Sequence, residues 1–166
     1  TVVDTLIYAK KKRKNFEVFN TETRPLYQGR KTARELSKAK IKVTTFVDSA
    51  AKEFIKKSKV VLLGMDAIIT NGSGKITGVV NKIGSSMFAQ IAYDNKIPVY
   101  ILGNSWKVAP KKMKIEERNL KEVWQRVPRK VKVKNPAFDI INPKHITGII
   151  TELGILKPLE LSVKFK

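Results

Sequence analysis

The chain has 166 residues, with 34 Lys+Arg against 14 Asp+Glu, one His, no Cys and a formal net charge of +20. That length suits one domain with core enough to fold unaided, and 42% apolar residues make the composition globular rather than disordered. The absence of cysteine excludes disulfides, zinc ribbons and thiol nucleophiles within the chain, and a single histidine argues against a His-rich metal site or an internal Ser-His-Asp triad. The charge favours anionic partners, but it does not choose among nucleic acid, phosphorylated metabolites, acidic proteins and membrane surfaces.

No stretch approaches the ~18–20 apolar residues that cross a bilayer. The longest strongly apolar run, Val60 to Met65, is strand-sized. The early basic run is not followed by the apolar segment of a signal peptide, so a soluble cytoplasmic protein is expected. The first residue is Thr1 rather than Met, and it opens directly on a helical pattern, which reads as part of a longer polypeptide.

Thr1 with Asp4 suggests a helix N-cap with a partial capping box. Val2, Val3, Leu6 and Ile7 then share one helical face, and Lys10 to Lys14 form a solvated helix end, where cations meet free carbonyls. Phe16 to Asn20 reads as a strand, Thr21 to Gly29 as a loop, Lys31 to Ala39 as a helix and Lys42 to Val47 as a β-branched strand. Asp48 or Ser49 can cap a helix through Lys57. Val60 to Gly64 is all apolar, as in a strand covered on both faces. Gly72 and Gly74 mark a turn before an extended piece at Ile76–Val80. Gly84 to Asn95 reads as a helix and Pro98 to Leu102 as another buried strand. Strands and helices thus alternate through residue 103, the pattern of βαβ units and a parallel sheet with helices on both faces.

The remainder is less regular. Lys107 to Lys114 reads as basic loop and Asn119 to Gln125 as a short helix. Arg129 to Lys134 alternates basic residues with Val131 and Val133, as an edge strand with a wet face does. Pro143 suits the first turn of a last helix running to Leu153, with Gly154 as its C-cap.

Gly72-Ser73-Gly74-Lys75 resembles a piece of a P-loop, but the flanking positions hold Ile69 and Ile76, and Thr77 stands where a dinucleotide fingerprint needs its third glycine. A hairpin-like turn fits it better, and no bound cofactor or metal is expected. His145, with no second His or Cys nearby, takes a structural or surface role. Trp106 and Trp124 could stack on bases, but core or interface packing is the better reading.

Ligands of parallel sheets lie beyond the carboxyl ends of the strands. Asp66 stands just past such an end, where partial desolvation would raise its pKa and equip it for general acid–base work. Capping of a turn is its bland alternative. Arg24, Asn81, Lys82 and Lys107 follow other strands at the same end. Arg grips phosphate by a bidentate fork and Lys by point charge, and the amides after Lys82 would add a helix N-terminus.

These loops resemble a known superfamily, that of the archaeal ribose-1,5-bisphosphate isomerases, the methylthioribose-1-phosphate isomerases and the regulatory subunits of eukaryotic initiation factor 2B. The matching stretches are Thr21–Pro25 with Gln28-Gly29 and Thr32-Ala33, Val47–Ala51, Gly64-Met65-Asp66, Asn71-Gly72, Asn81–Gly84, Asn135–Asp139 and Ile149–Glu152. Their order and spacing span essentially the whole chain, with archaeal members most similar.

The resemblance implies a Rossmann-like parallel sheet, the C-terminal domain of the family, without the smaller helical domain that precedes it there. It implies assembly as dimers or higher oligomers through this domain. It implies aldose–ketose isomerisation of a C1-phosphorylated furanose, in which Asp66 works with a cysteine from the preceding region. Arg24, Gln28, Asn81, Lys82 and Lys107 then hold the sugar phosphate, and the chain alone is inactive. Two departures stand out. The segment Gly72–Val80 is long, and Met65 replaces a small Ala, so the rim of the site is expected to differ. The alternative within the same resemblance is a regulatory subunit that binds initiation factor 2 or its sister subunits. The persistence of Asp66 with Asn81-Lys82 tilts towards sugar phosphate. Nucleic-acid binding rests on charge alone, with no recognised RNA-binding motif.

Overall fold

The computed structural model describes residues 1–109 and 115–163. They form a mixed α/β fold with two compact units, Thr1–Phe54 with Glu117–Pro136, and Ile55–Glu116 with Ala137–Lys166.

The first unit opens with α1 (Val2–Lys11), whose Val2, Val3, Leu6 and Ile7 are half-buried on one face. Thr1 makes no side-chain cap bond, so the capping box is not formed, while Lys11 to Lys14 are exposed as expected of a solvated helix end. Next come β1 (Glu17–Thr21), α2 (Gln28–Lys38) and β2 (Lys42–Phe46). β1 and β2 pair in parallel from Glu17↔Lys42 to Thr21↔Phe46, so α2 is the crossover of a βαβ unit.

One residue makes that crossover tight. A Cβ on Gly29 would lie 1.7 Å from the Thr21 carbonyl oxygen, so only glycine fits where the helix starts against the strand end. Behind β2, a 3-10 turn at Asp48–Ala50 leads into α3 (Ala51–Lys56). Phe54 stacks on Phe46 at 4.1 Å between centroids and meets Phe19 at 5.6 Å, which closes the aromatic core of this unit.

The second unit holds β3 (Val61–Gly64), β4 (Ala67–Thr70), β5 (Ile76–Lys82), α4 (Ser85–Asp94), β6 (Val99–Leu102), β7 (Val108–Ala109), β8 (Phe138–Ile141), β9 (Gly148–Thr151), β10 (Gly154–Leu156) and α5 (Pro158–Val163). One sheet runs β10-β9-β6-β3, parallel except for the β9–β10 hairpin. The other runs β7-β4-β5-β8, with β4, β5 and β8 antiparallel. Ile68, Val79, Val80, Val99, Ile101, Ile141 and Ile149 are fully buried, as are Ala89 and Ala92 of α4. The small alanines let α4 approach β-branched strands closely.

Several expectations are corrected. The last helix predicted from Pro143 to Leu153 is a 3-10 turn at Pro143–His145 followed by β9 and β10. Ile149 and Ile150 continue the parallel sheet beside β6, and Gly148 leaves room for Tyr100, so tertiary pairing overrides the Pro–Gly helix signals. Arg129 to Lys134 has no ladder partner among the described residues and stays irregular. The helix at 119–125 shrinks to a 3-10 turn, Leu120–Glu122. Val61 to Gly64 is half-buried rather than covered on both faces. Trp106 and Trp124 are 78% and 47% exposed, so neither fills this chain's core. Of the loop expected at Lys107–Lys114, positions 110–114 lie outside the described residues, and Val108–Ala109 pairs with β4.

Gly29→Ala should cost more than about 2 kcal/mol, because its clash is with backbone and no side chain can yield. A urea midpoint close to that of the parent chain would contradict this packing.

Candidate functional site

The second unit builds its site where β3 ends. The chain passes from Gly64 through Met65 and Asp66 into β4, and the Asp66 amide donates to the Val80 carbonyl at 2.9 Å. That bond extends the β4–β5 ladder by one residue, since Ala67 already faces Val80. Asn81 therefore comes beside the end of β3, and a Cβ on Gly64 would stand 3.3 Å from its Oδ1. The Asn81 Nδ2 donates to Ser85 Oγ at 2.9 Å, and Ser85 Oγ donates to the Lys82 carbonyl at 2.7 Å. Asn81 is thus held through the nitrogen of its side-chain amide.

Lys107 joins from the segment after β6. Its Nζ donates to the Met65 carbonyl at 2.7 Å, while its own carbonyl accepts from the Ile68 amide at 2.7 Å. Asp66, Asn81, Lys82 and Lys107 therefore occupy one end of the second unit. Lys82 is half-buried, and no carboxylate among the described residues pairs with its ammonium or with that of Lys107. Asp66 itself is exposed, so the expected desolvation is absent in this chain. Met65 is 3% exposed and packs on Gly103, so its bulk faces inward instead of altering the rim.

The first unit positions Arg24 in the loop after β1. Asp48, just past β2, accepts from the amides of Thr23 at 2.9 Å and Arg24 at 2.7 Å. The carboxylate thus pins this loop instead of capping a helix through Lys57. The Arg24 guanidinium donates to the carbonyls of Pro25 and Val123 at 3.0 and 3.1 Å, and it lies 5.0 Å from the Tyr27 ring. These contacts orient the fork while leaving its charge unneutralised by any carboxylate among the described residues. Gln28, the first residue of α2, is exposed.

One expectation about anion binding is overturned. The start of α4 was expected to offer free amides to a phosphate. Asp139 already occupies it, because its carboxylate accepts from the Gly84 amide at 2.9 Å and the Ser86 amide at 3.1 Å. Asp139 sits directly opposite Asn81 in the β5–β8 ladder, which carries it to this helix end. Burial pushes its carboxyl above the ordinary value, and the bonds from Ser86 and Gly84 only partly pull it back.

Glu152 plays a similar part after β9. It accepts from the Ser105 hydroxyl and from the Ser105 amide at 3.1 Å, anchoring the loop that leads to Lys107. The Ser105 hydroxyl holds the Glu152 carboxyl below its ordinary value. Asp48, Asp139 and Glu152 all lay in the matched stretches, yet sequence gave no role to the latter two. Their partners are backbone amides, which carry no residue-type signal. Among the described residues, no group of three His, Cys, Asp or Glu side chains is placed to hold a metal ion.

Residues 1–158 match the model of the initiation factor 2 subunit family. The ribose 1,5-bisphosphate isomerase of Methanocaldococcus jannaschii is 41% identical over 152 residues, covering 87% of this chain and 48% of the relative. The methylthioribose-1-phosphate isomerase of Parabacteroides distasonis is 44% identical, covering 84% of this chain and 44% of the relative. Among solved structures, the translation initiation factor eIF-2B of Pyrococcus horikoshii superposes with a TM-score of 0.84 at 30% identity, covering 99% of this chain and 56% of that one. The chain spans about half the length of the curated relatives it matches.

The carboxylate pins predict opposite pH responses. Asp139, raised on folding, holds its proton more tightly in the folded state. Its contribution to stability therefore falls as pH rises from about 4 through the raised value. Asp139→Asn should remove that slope, read as urea midpoint against pH, whereas Asp139→Ala should cost about 1–2 kcal/mol through loss of the cap. Glu152, lowered on folding, contributes above its ordinary value and loses that contribution as pH falls through the folded value. In Glu152→Gln the Ser105 amide should exchange with solvent faster than in the parent, and unchanged exchange would refute the anchoring role.

Proposed function

The chain belongs to the initiation factor 2 subunit family, and from that premise we propose that it is the sugar-phosphate-binding domain of an aldose–ketose isomerase acting on ribose 1,5-bisphosphate. One observation carries the reading. An exposed carboxylate, Asp66, stands at a strand's carboxyl end beside Asn81, with Lys107 bonded to the preceding carbonyl and Lys82 following in the chain.

The reaction needs no redox cofactor. The bond from C1 to the ring oxygen breaks, hydrogen moves from C2 to C1, and the C2 hydroxyl becomes a carbonyl. The proton of that hydroxyl ends on the former ring oxygen. Asp66 suits this last transfer, because an exposed carboxylate can take a hydroxyl proton and return it across a short distance. Asn81, held through its amide nitrogen, orients a hydroxyl through Oδ1. Lys82 and Lys107 neutralise phosphate, as do Arg24 and Gln28 on the strength of the family resemblance.

The chain contains no thiol; the family resemblance assigns the carbon-bound hydrogen to a cysteine in the region that precedes this domain in the family. The protein acts in the cytoplasm as a dimer or higher oligomer. Among the described residues, no helix is long and apolar enough to cross a membrane.

A second reading is favoured by the likeness to the P. horikoshii initiation factor. It makes the chain a regulatory subunit that binds initiation factor 2, and capture of that factor's α subunit with no isomerase turnover would establish it.

With the preceding domain supplied, the protein should convert ribose 1,5-bisphosphate to ribulose 1,5-bisphosphate. Asp66→Asn should lower kcat by at least about a hundredfold with KM little changed, while Lys82→Ala should chiefly raise KM. Full activity in Asp66→Asn would remove the carboxylate from the reaction.

A further inference from the structure

The parallel strands β3, β6 and β9 present a cleft at their other end as well. Opposite the carboxyl ends that carry Asp66 and Lys107, a cleft of about 630 Å³ opens at the amino ends of β6 and β9. Its walls are the end of α4 with the turn into β6, including Tyr93, Lys96 and Pro98, and the 3-10 turn before β9, including Lys144, His145 and Thr147. That volume is in the range of small-molecule sites.

The wall contains an anomaly. His145 is 6% exposed, and neither of its ring nitrogens has a hydrogen-bond partner among the described residues. Buried polar atoms without partners are rare, and each calls for a cause. The ring is held on one side by Tyr93, with centroids 5.0 Å apart at 43°. Burial first, and the charge of Lys144 second, lower its pKa against an opposing pull from Asp94, which favours the neutral ring. A neutral imidazole offers one donor and one acceptor.

The charges around it favour an anion. Lys96 and Lys144 are exposed, and no carboxylate among the described residues pairs with either. The one acid in the wall, Asp94, accepts from Gln90 Nε2 at 2.7 Å and keeps its charge, so two cations there face one carboxylate.

We propose that this cleft is a binding site for phosphate or a phosphate monoester, separate from the site at Asp66. Lys96 and Lys144 hold the charge at the mouth. One ring nitrogen of His145 donates its N–H to a phosphate oxygen. Both nitrogens are sealed from solvent in this structure, so binding requires the ring to turn about Cβ–Cγ, a soft torsion, and to shift its contact with Tyr93.

His145 is the sole histidine of the sequence, so its ring resonances report the site directly. Titration with inorganic phosphate at constant ionic strength, the salt balanced with chloride, should shift them saturably with a dissociation constant of about a millimolar. Lys96→Ala with Lys144→Ala should weaken that binding about tenfold or more, and both side chains are exposed, so the fold survives the change. Lys82→Ala should leave the shift intact. No saturable shift would mean that trapped water satisfies the ring, and the proposal would fail. A shift lost with Lys82 but kept without Lys96 and Lys144 would equally overturn it, because the ion would then be bound elsewhere. Neither result bears on isomerase activity, so the proposed function stands or falls separately.

Discussion

The hydrogen bond from the Asp66 amide to the Val80 carbonyl sets the geometry on which the second unit's site depends. The chain leaves a parallel strand and must turn at once into an antiparallel one. This bond fixes the turn and the β4–β5 register together. With Ala67 opposite Val80, Asn81 has no other place than beside Gly64. A shift of one residue would send Asn81 to the opposite face of the sheet, because side chains alternate. The Met65 carbonyl, freed from the ladder, is then the acceptor that Lys107 finds.

Within each unit the chain spends acids on its own backbone. Asp48 holds the amides of Thr23 and Arg24, Asp139 those of Gly84 and Ser86, and Glu152 that of Ser105. Charged acceptors make the stronger class of hydrogen bond, so three loops are fixed without large hydrophobic anchors. With the carboxylates turned to amides, cations such as Lys82, Lys107 and Arg24 are left without acidic partners among the described residues. That these cations lack acidic partners therefore follows from how the loops are built.

Much of this was legible in the sequence. The βαβ alternation through residue 103 was readable because β-branched runs and amphipathic helices have different periods, as in Lys42–Val47 against Gly84–Asn95. Asp66, Asn81, Lys82 and Lys107 could be gathered by one rule about strand ends. The errors share a cause. The Pro143–Leu153 segment carries good helix punctuation but lies beside β6, and partners remote in sequence decided its state. Asp48 looks like a helix cap and acts on a loop 24 residues earlier. Asp139 reached α4 through a ladder that no local pattern reveals. Local signals were reliable where the contacts are local, and they failed where a ladder or a carboxylate joins distant segments.

The occupied start of α4 has a consequence for how this fold can change. In many phosphate sites the main chain itself grips the anion, and any change of ligand means rebuilding a loop. Here the helix end is already satisfied from within by Asp139. Any ligand taken at this end of the unit is therefore met by exchangeable side chains on a scaffold whose shape is set from within. Such a scaffold can be retuned from one ligand to another by single substitutions, with the loop that carries them left unchanged.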